Sequence, residues 1–291
     1  MRPGGVRDLT RTHRFRYFAG ASLDAGSAEV TIGSIQLQEA RQQVDHLVPR
    51  FIDQQRFLLG DACFRLEPYQ FSLRTTEAEI VILKNMEILS CYDAYFSCPS
   101  SNNILEVGVF EGGSLLYMAL RNPGFRFVGI DLRPVSPIVL RHIERLGLSD
   151  RVRIYDRVGQ ADEQRIRQIV NEEFGSEGIG LVIDDASHMY HLSRRTFEIL
   201  FPLVVPHGTY CIEDWAWCHW PEPYQTNKWT DQVALSNLAF EIVMLLPSLK
   251  GSISDIRVTP GMIMTRKGSL PLKALSLDSA IRKRGRNLGL I

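Results

Sequence analysis

The stretch that decides the fold is Asn103-Ile104-Leu105-Glu106-Val107-Gly108-Val109-Phe110-Glu111-Gly112-Gly113-Ser114. Its apolar run at 104–107 has the length of a buried strand. The glycines after it let the backbone turn sharply into residues 114–120, where apolar side chains recur at helical spacing. The same alternation continues toward the C-terminus. Short apolar runs at 125–130, 152–155, 180–183 and 209–212 interleave with helically spaced segments at 137–146, 163–174 and 192–203. This order predicts an α/β fold, a Rossmann-like doubly wound and mostly parallel sheet. Residues 256–259 and 262–265 flank Pro260-Gly261 and predict a closing hairpin.

Upstream, residues 1 to about 35 are rich in Gly, Ser and Arg and read as loop. Helical spacing from Ile35 to about Leu59 predicts one helix. A second is predicted from Thr76, with Glu79 three residues on as in a capping box, through Ile80, Ile82, Leu83, Met86 and Leu89 toward Phe96. The expected organisation is an N-terminal segment and helical cap at 1–75, the α/β domain at 76–270 and a basic tail at 271–291. Such a cap either roofs a ligand site or forms oligomer surface, and a homo-oligomer is the expected assembly. In the tail, Arg282, Lys283, Arg284 and Arg286 read as a solvated terminus.

Composition narrows the function classes. Hydrophobic residues make up 45% and charged residues 23%, the balance of an ordinary globular protein. Thirty-three basic residues face thirty-three acidic ones, so no global field favours nucleic acid or an anionic membrane as partner. No apolar run of about 18 residues or more predicts a membrane span. Five scattered cysteines without a Cys-x-x-Cys pair point to a reducing compartment, and a cytoplasmic location is expected. The first sixteen residues carry five arginines but lack the apolar stretch of a secretory signal.

In a doubly wound sheet, ligands bind at the carboxyl ends of the strands. Gly108 and Gly112 allow close backbone approach there, and the helix beginning near Ser114 offers free N–H groups to an anionic ligand end. Asp131 closes the second strand, 23 residues beyond Gly108, where it can accept two ribose hydroxyls. Both features suit a nucleoside cofactor. A dinucleotide fingerprint requires glycine where Phe110 stands, because the diphosphate must fit against the backbone. That disfavours a nicotinamide oxidoreductase. The spacing E-x-G-x-x-x-G resembles instead the first motif of S-adenosylmethionine methyltransferases.

The chemistry concentrates in Ile183-Asp184-Asp185-Ala186-Ser187-His188 and Ile212-Glu213-Asp214-Trp215, each at the end of a predicted strand. Four carboxylates converging on one sheet edge repel unless something positive sits among them. All-oxygen donors suit magnesium, calcium or manganese. The bland reading is that some of these acids cap helices or pair with Arg194 and Arg195. Imidazole is a suitable general base at neutral pH, which nominates His188, with Tyr190, His191 and His219 as further candidates. All four tryptophans, at 215, 217, 220 and 229, follow the acid pair and could stack on a sugar or polyketide surface, or simply pack.

The segments ILEVGVFEGGS, VGIDLR, VIDDASH and GTYCIEDW, in this order and spacing, resemble the metal-dependent O-methyltransferases of sugars and macrolide glycosides. That group includes the macrocin-type enzymes, and cephalosporin-hydroxylase-like proteins and mycobacterial polysaccharide methyltransferases are similar. The match covers about residues 75–268. It implies a class I methyltransferase fold with S-adenosylmethionine as cofactor and a divalent metal, expected to be Mg2+, held by Asp185, Glu213 and Asp214. His188 becomes the base. The cofactor contacts implied are Glu106, Gly108, Gly112, Ser114, Asp131, Gln160, Ala161 and Asp184. The acceptor is expected to be a hydroxyl of a small molecule or oligosaccharide. Val158-Gly159-Gln160 departs from the family's Gly-Asp-Gln, and Pro206-His207-Gly208 from its Pro-Gly-Gly. The competing readings are a catechol-type enzyme and a protein that keeps the fold without transferring methyl groups.

Overall fold

The computed structural model describes residues 48–68, 70–220 and 231–285. The chain divides into two units, Met1–Asp45 and His46–Ile291, and everything described lies in the second. The expected cap residues 1–47 lie outside the described residues, as does Trp229.

The strand–helix alternation resolves into β5 (Asn103–Val107), α2 (Gly113–Arg121), β6 (Arg126–Ile130), α3 (Pro137–Arg145), β7 (Val152–Tyr155), α4 (Glu163–Phe174), β8 (Ile179–Asp184), α5 (Tyr190–Leu200) and β9 (Val204–Glu213). Helix α6 (Ser236–Leu245), the hairpin β10 (Ile253–Thr259) and β11 (Met262–Lys267), and the short α7 (Leu277–Ala280) follow. The seven strands run in the order β10-β11-β9-β8-β5-β6-β7. Five are parallel, and β11 enters antiparallel to both β9 and β10. This is the doubly wound, mostly parallel sheet expected, with its topological switch between β5 and β8. Central strands β5 and β8 are buried along their whole length, as strands covered on both faces must be. One face packs on α4, α5 and α6 through Ile166, Phe174, Phe197, Leu238 and Ile242. The other packs on α2 and α3 through Leu115, Leu116, Val139 and Ile143.

The segment before the domain is not the helical cap that the spacing suggested. Residues 50–82 form a four-stranded sheet in the order β1 (Arg50–Phe51), β2 (Arg56–Leu59), β3 (Ala62–Leu66) and β4 (Ile80–Ile82). Strands β2 and β3 pair across Gly60-Asp61, with Gly60 at φ +58°. Phe57, Leu59, Ala62, Phe64 and Leu66 alternate inward at the period of a strand. Thr76 and Glu79 do bond to each other, but they close a turn and do not open a helix. The β-branched run Ile80-Val81-Ile82 extends parallel to β3, and α1 (Met86–Ser97) starts only at the Asn85 cap, which accepts from the Ile88 N–H. Phe57 and Phe64 stack 5.4 Å apart and both meet the Tyr117 ring of α2 nearly at right angles, which fastens this small sheet to the domain. The predicted helix 192–203 likewise stops at Leu200, where a 3-10 turn at Phe201–Leu203 carries Pro202.

Close backbone contacts at glycines fix the strand ends. A Cβ on Gly108, whose φ is +93°, would fall 2.0 Å from the carbonyl oxygen of Asp185, and one on Gly113 would fall 2.0 Å from that of Val81. We expect Gly108→Ala to destabilise the protein by more than the ~1–3 kcal/mol of a left-handed backbone alone, because backbone must also move. Gly124→Ala, with nothing within 4 Å of its Cβ, should stay within about 0.5 kcal/mol of the parent. Urea denaturation of both variants checks this, and equal midpoints would refute the close-approach argument.

Candidate active site

Strand alternation sorts the acids. In the parallel register Glu106, Ile183 and Cys211 form one row, and Val107, Asp184 and Ile212 form the next. Successive rows project to opposite faces of the sheet. Glu106 and Glu213 therefore face the side covered by β4 and α1, and Asp184 faces the other. There Asp184 is 2% exposed and accepts a 2.9 Å hydrogen bond from the Tyr210 hydroxyl. Burial pushes its carboxyl up to about 7, against the opposing effect of Tyr210.

On the first face a lysine stands among the acids. Lys84, two residues past β4, is 3% exposed. Its ammonium lies 2.8 Å from Glu213 Oε1 and 3.8 Å from Glu106 Oε1, and it also donates to Asp185 Oδ2. Tyr92 of α1 donates to the same Glu213 oxygen. Burial alone would lower the lysine pKa, but Asp185, Glu213 and Glu106 together hold it above the ordinary lysine value. Burial raises the Glu213 carboxyl, with Lys84 opposing. It pushes Glu106 up to about 8 despite Lys84 and a 2.6 Å bond from the Ser114 hydroxyl.

Beyond the strand ends lies a rim of three side chains. Asp185, His188 and Asp214 each offer one donor atom, all within 4.8 Å of one another. His188 Nε2 is 3.8 Å from Asp185 Oδ1, and its ring meets Trp217 edge to face at 5.2 Å. Asp214 is held by its own N–H to the Gly261 carbonyl and by the Trp217 N–H to its carbonyl. Burial raises the Asp214 carboxyl and His188 opposes that rise. His188 and Asp214 both sit at positive φ, +55° and +52°, as does Phe110 at +50°. Non-glycine residues in that conformation cluster where a site over-determines the backbone.

The glycine turn lies against this rim. Asp185 N–H donates to the Val107 carbonyl, and Gly108 N–H to that of Ile130. Asp131 accepts from the Val109 and Phe110 N–H groups at 2.9 and 2.8 Å and from that of Arg133 at 2.8 Å. Burial would raise its carboxyl, but these donors and the Arg133 guanidinium hold it below the ordinary aspartate value. Arg133 in turn lies over the Phe110 ring, 4.6 Å from its centroid. Two buried carboxylate oxygens among the described residues have no hydrogen-bond partner, Glu106 Oε2 and Asp184 Oδ1.

Residues 105–215 match a protein-family profile described as a methyltransferase domain. The chain is similar over 139 residues, at 29% identity, to mycinamicin VI 2''-O-methyltransferase of Micromonospora griseorubida; the match covers 45% of this chain and 32% of that protein. Over 93 residues it is 34% identical to demethylmacrocin O-methyltransferase of Streptomyces fradiae, covering 28% and 23% of the two chains. The chain thus matches no more than about a third of the length of these curated relatives. Among solved structures, MycE methyltransferase in complex with Mg, SAH and mycinamycin VI is 24% identical, with 64% of this chain and 50% of that one covered and a TM-score of 0.47.

Within the matched span 105–215, most of the residues singled out from sequence meet at one sheet edge. Asp185, His188 and Asp214 converge on the rim, with Glu106, Gly108, Gly112, Ser114 and Asp131 along the adjoining turn. Glu213 does not reach the rim, since alternation turns it inward to Lys84 and Tyr92. Asp184 is turned to the far face. Gln160 braces the turn before His188, accepting from the Ser187 N–H at 3.2 Å and donating to Thr196 at 3.1 Å, while Ala161 is exposed. Trp215 belongs to the packing, its indole N–H bonded to the Thr259 carbonyl. Sequence reasoning missed Lys84 and Tyr92. The available signal was one lysine closing an otherwise apolar stretch, Ile80-Val81-Ile82-Leu83.

The Asp184 carboxyl generates a pH test. Its pKa is raised from 3.8 to about 7, so between those values the folded chain holds a proton that the unfolded chain releases. Its contribution therefore turns against the fold as pH rises through that window, by on the order of 1 kcal/mol per pH unit. Asp184→Asn should be more stable than the parent at pH 8 and little changed at pH 4. Denaturation midpoints that move in parallel for both proteins would disprove the assignment.

Proposed function

We propose that the protein is an S-adenosylmethionine-dependent O-methyltransferase acting on a hydroxyl of a sugar, glycoside or related natural product. The observation that carries this reading is the junction of two features at one strand end: the glycine turn after β5 abuts the Asp185 carbonyl, and Asp185 opens the rim with His188 and Asp214. The match to a methyltransferase domain over 105–215 supports it, as do relatives named for O-methylation.

The cofactor fits the turn. Asp131 stands where ribose hydroxyls would be accepted, and the buried, partnerless Glu106 Oε2 suits an ammonium such as that of the methionyl end. Bound there, S-adenosylmethionine supplies an electrophilic methyl group on its sulfonium. A divalent ion also fits, through hard carboxylate donors from Asp185 and Asp214, and would stabilise the alkoxide as it forms. The chain's own work is positioning and proton transfer. His188 removes the acceptor hydroxyl's proton, and Asp185 at 3.8 Å favours the imidazolium that results. Trp217 holds the imidazole edge-on and restricts its orientation.

His188→Ala should lower the transfer rate by about 10²–10⁴, the usual loss for a general base, while calorimetry still detects S-adenosylhomocysteine binding. An almost fully active variant would remove His188 from the chemistry. Asp131→Ala should weaken S-adenosylhomocysteine about ten- to a hundredfold, as expected for losing charged hydrogen bonds. Mass spectrometry of products from labelled cofactor and a panel of glycosides and catechols tests the acceptor class. Transfer to catechols alone would replace this reading with a catechol-type enzyme.

A further inference from the structure

Lys84 is a buried cation that the proposed reaction does not use. It sits where the acid cluster is densest, and its position follows from packing: Val81 of β4 presses its carbonyl against Gly113 at the start of α2, which brings the residues after β4 to the ends of β5, β8 and β9. We propose that Lys84 is an internal counter-ion that withdraws Glu213 from cation binding, leaving Asp185 and Asp214, beside His188, to hold a divalent ion. This inference rests on the divalent-ion reading given above and changes its ligand set.

Three independent observations carry it. Glu213 Oε1 already accepts from both Lys84 and Tyr92, and Glu213 is 1% exposed. Strand alternation points Glu213 into the face under β4 and α1, whereas Asp214, past the strand end at φ +52°, turns outward. The cluster whose donor atoms converge contains Asp185, His188 and Asp214 without Glu213. Lys84 also shares Asp185 with the rim, donating to Oδ2 while Oδ1 faces His188. A divalent ion bound there has a positive neighbour across one carboxylate, and like charges that close oppose each other. Lys84 thereby sets a low cation affinity and gives Glu213 and Asp185 a shared cation when no ion is bound.

The test measures Mn2+ binding to the purified full chain by electron paramagnetic resonance of the free ion, without methyl donor or acceptor. In the parent, Asp214→Asn should weaken binding at least about tenfold and Glu213→Gln should change it less than about threefold, since only the first removes a ligand. Lys84→Met should tighten binding at least about tenfold by freeing Glu213 and removing the repulsion, and adding Glu213→Gln should cancel most of that gain. Lys84→Arg, which keeps the charge, should bind as the parent does. Thermal melts establish that each variant is folded. If Lys84→Met does not fold, the comparison of Glu213→Gln with Asp214→Asn decides. Equal losses in those two variants would overturn the Lys84 assignment and leave the divalent-ion reading standing. No binding at millimolar Mn2+ in either the parent or Lys84→Met would overturn both.

Discussion

A carboxylate buried at the end of a strand must find a cation, a proton or a set of N–H donors, because an unpaired charge there costs several kcal/mol. Of the acids this chain places at or just past the ends of adjacent strands, five show three different answers to the requirement. Asp131 collects three backbone N–H groups. Glu106 takes a hydroxyl from Ser114 and is pushed toward its protonated form, and Asp184 does the same with Tyr210. Asp185 and Glu213 share one ammonium. The small sheet β1–β4 is the element that makes this last solution available.

That gives the N-terminal strands a role beyond covering a sheet face. Their aromatic contact with Tyr117 and the bonds of Thr75 to Glu111 tie them to the glycine turn itself. Displacing β4 would remove Lys84 from the acids and loosen the start of α2 at once. Burial of Phe57, Phe64, Ile80 and Ile82, each worth roughly 1.5–3 kcal/mol, resists that displacement. Packing energy far from the rim thus secures the electrostatics beneath it.

The rim is built by turns, and turns leave the strands' alternation. Phe110, His188 and Asp214 each adopt a left-handed backbone where the chain departs from β5, β8 and β9. For Asp214 this has a direct consequence, since Glu213 and Asp214 are neighbours in sequence yet serve different surroundings, one an interior ion pair and the other the open rim. The Pro206-His207-Gly208 departure falls away from this edge. His207 is exposed at φ +64°, in a bend between the two ends of β9.

The sequence by itself determined the doubly wound sheet, its closing hairpin and the edge where the chemistry gathers. Continuous apolar runs, helical spacing and glycine turns are local signals that tertiary contacts only had to accept. Residues 50–59 and 76–82 were read wrongly because short apolar segments fit both periods, and the pairing of Ile80-Val81-Ile82 with β3 decided between them in the second stretch. The site divided along the same line. Asp185, His188 and Asp214 were legible because all three stand at or after strand ends, where a chain must turn toward the ligand edge. The surroundings of Glu213 were not, because they depend on which face its strand position selects and on what packs there. Only the tertiary structure brought Lys84 and Tyr92, 129 and 121 residues away in sequence, to that one oxygen. Partners so distant leave no trace in local spacing, because packing of the whole domain, not chain connectivity, joins them.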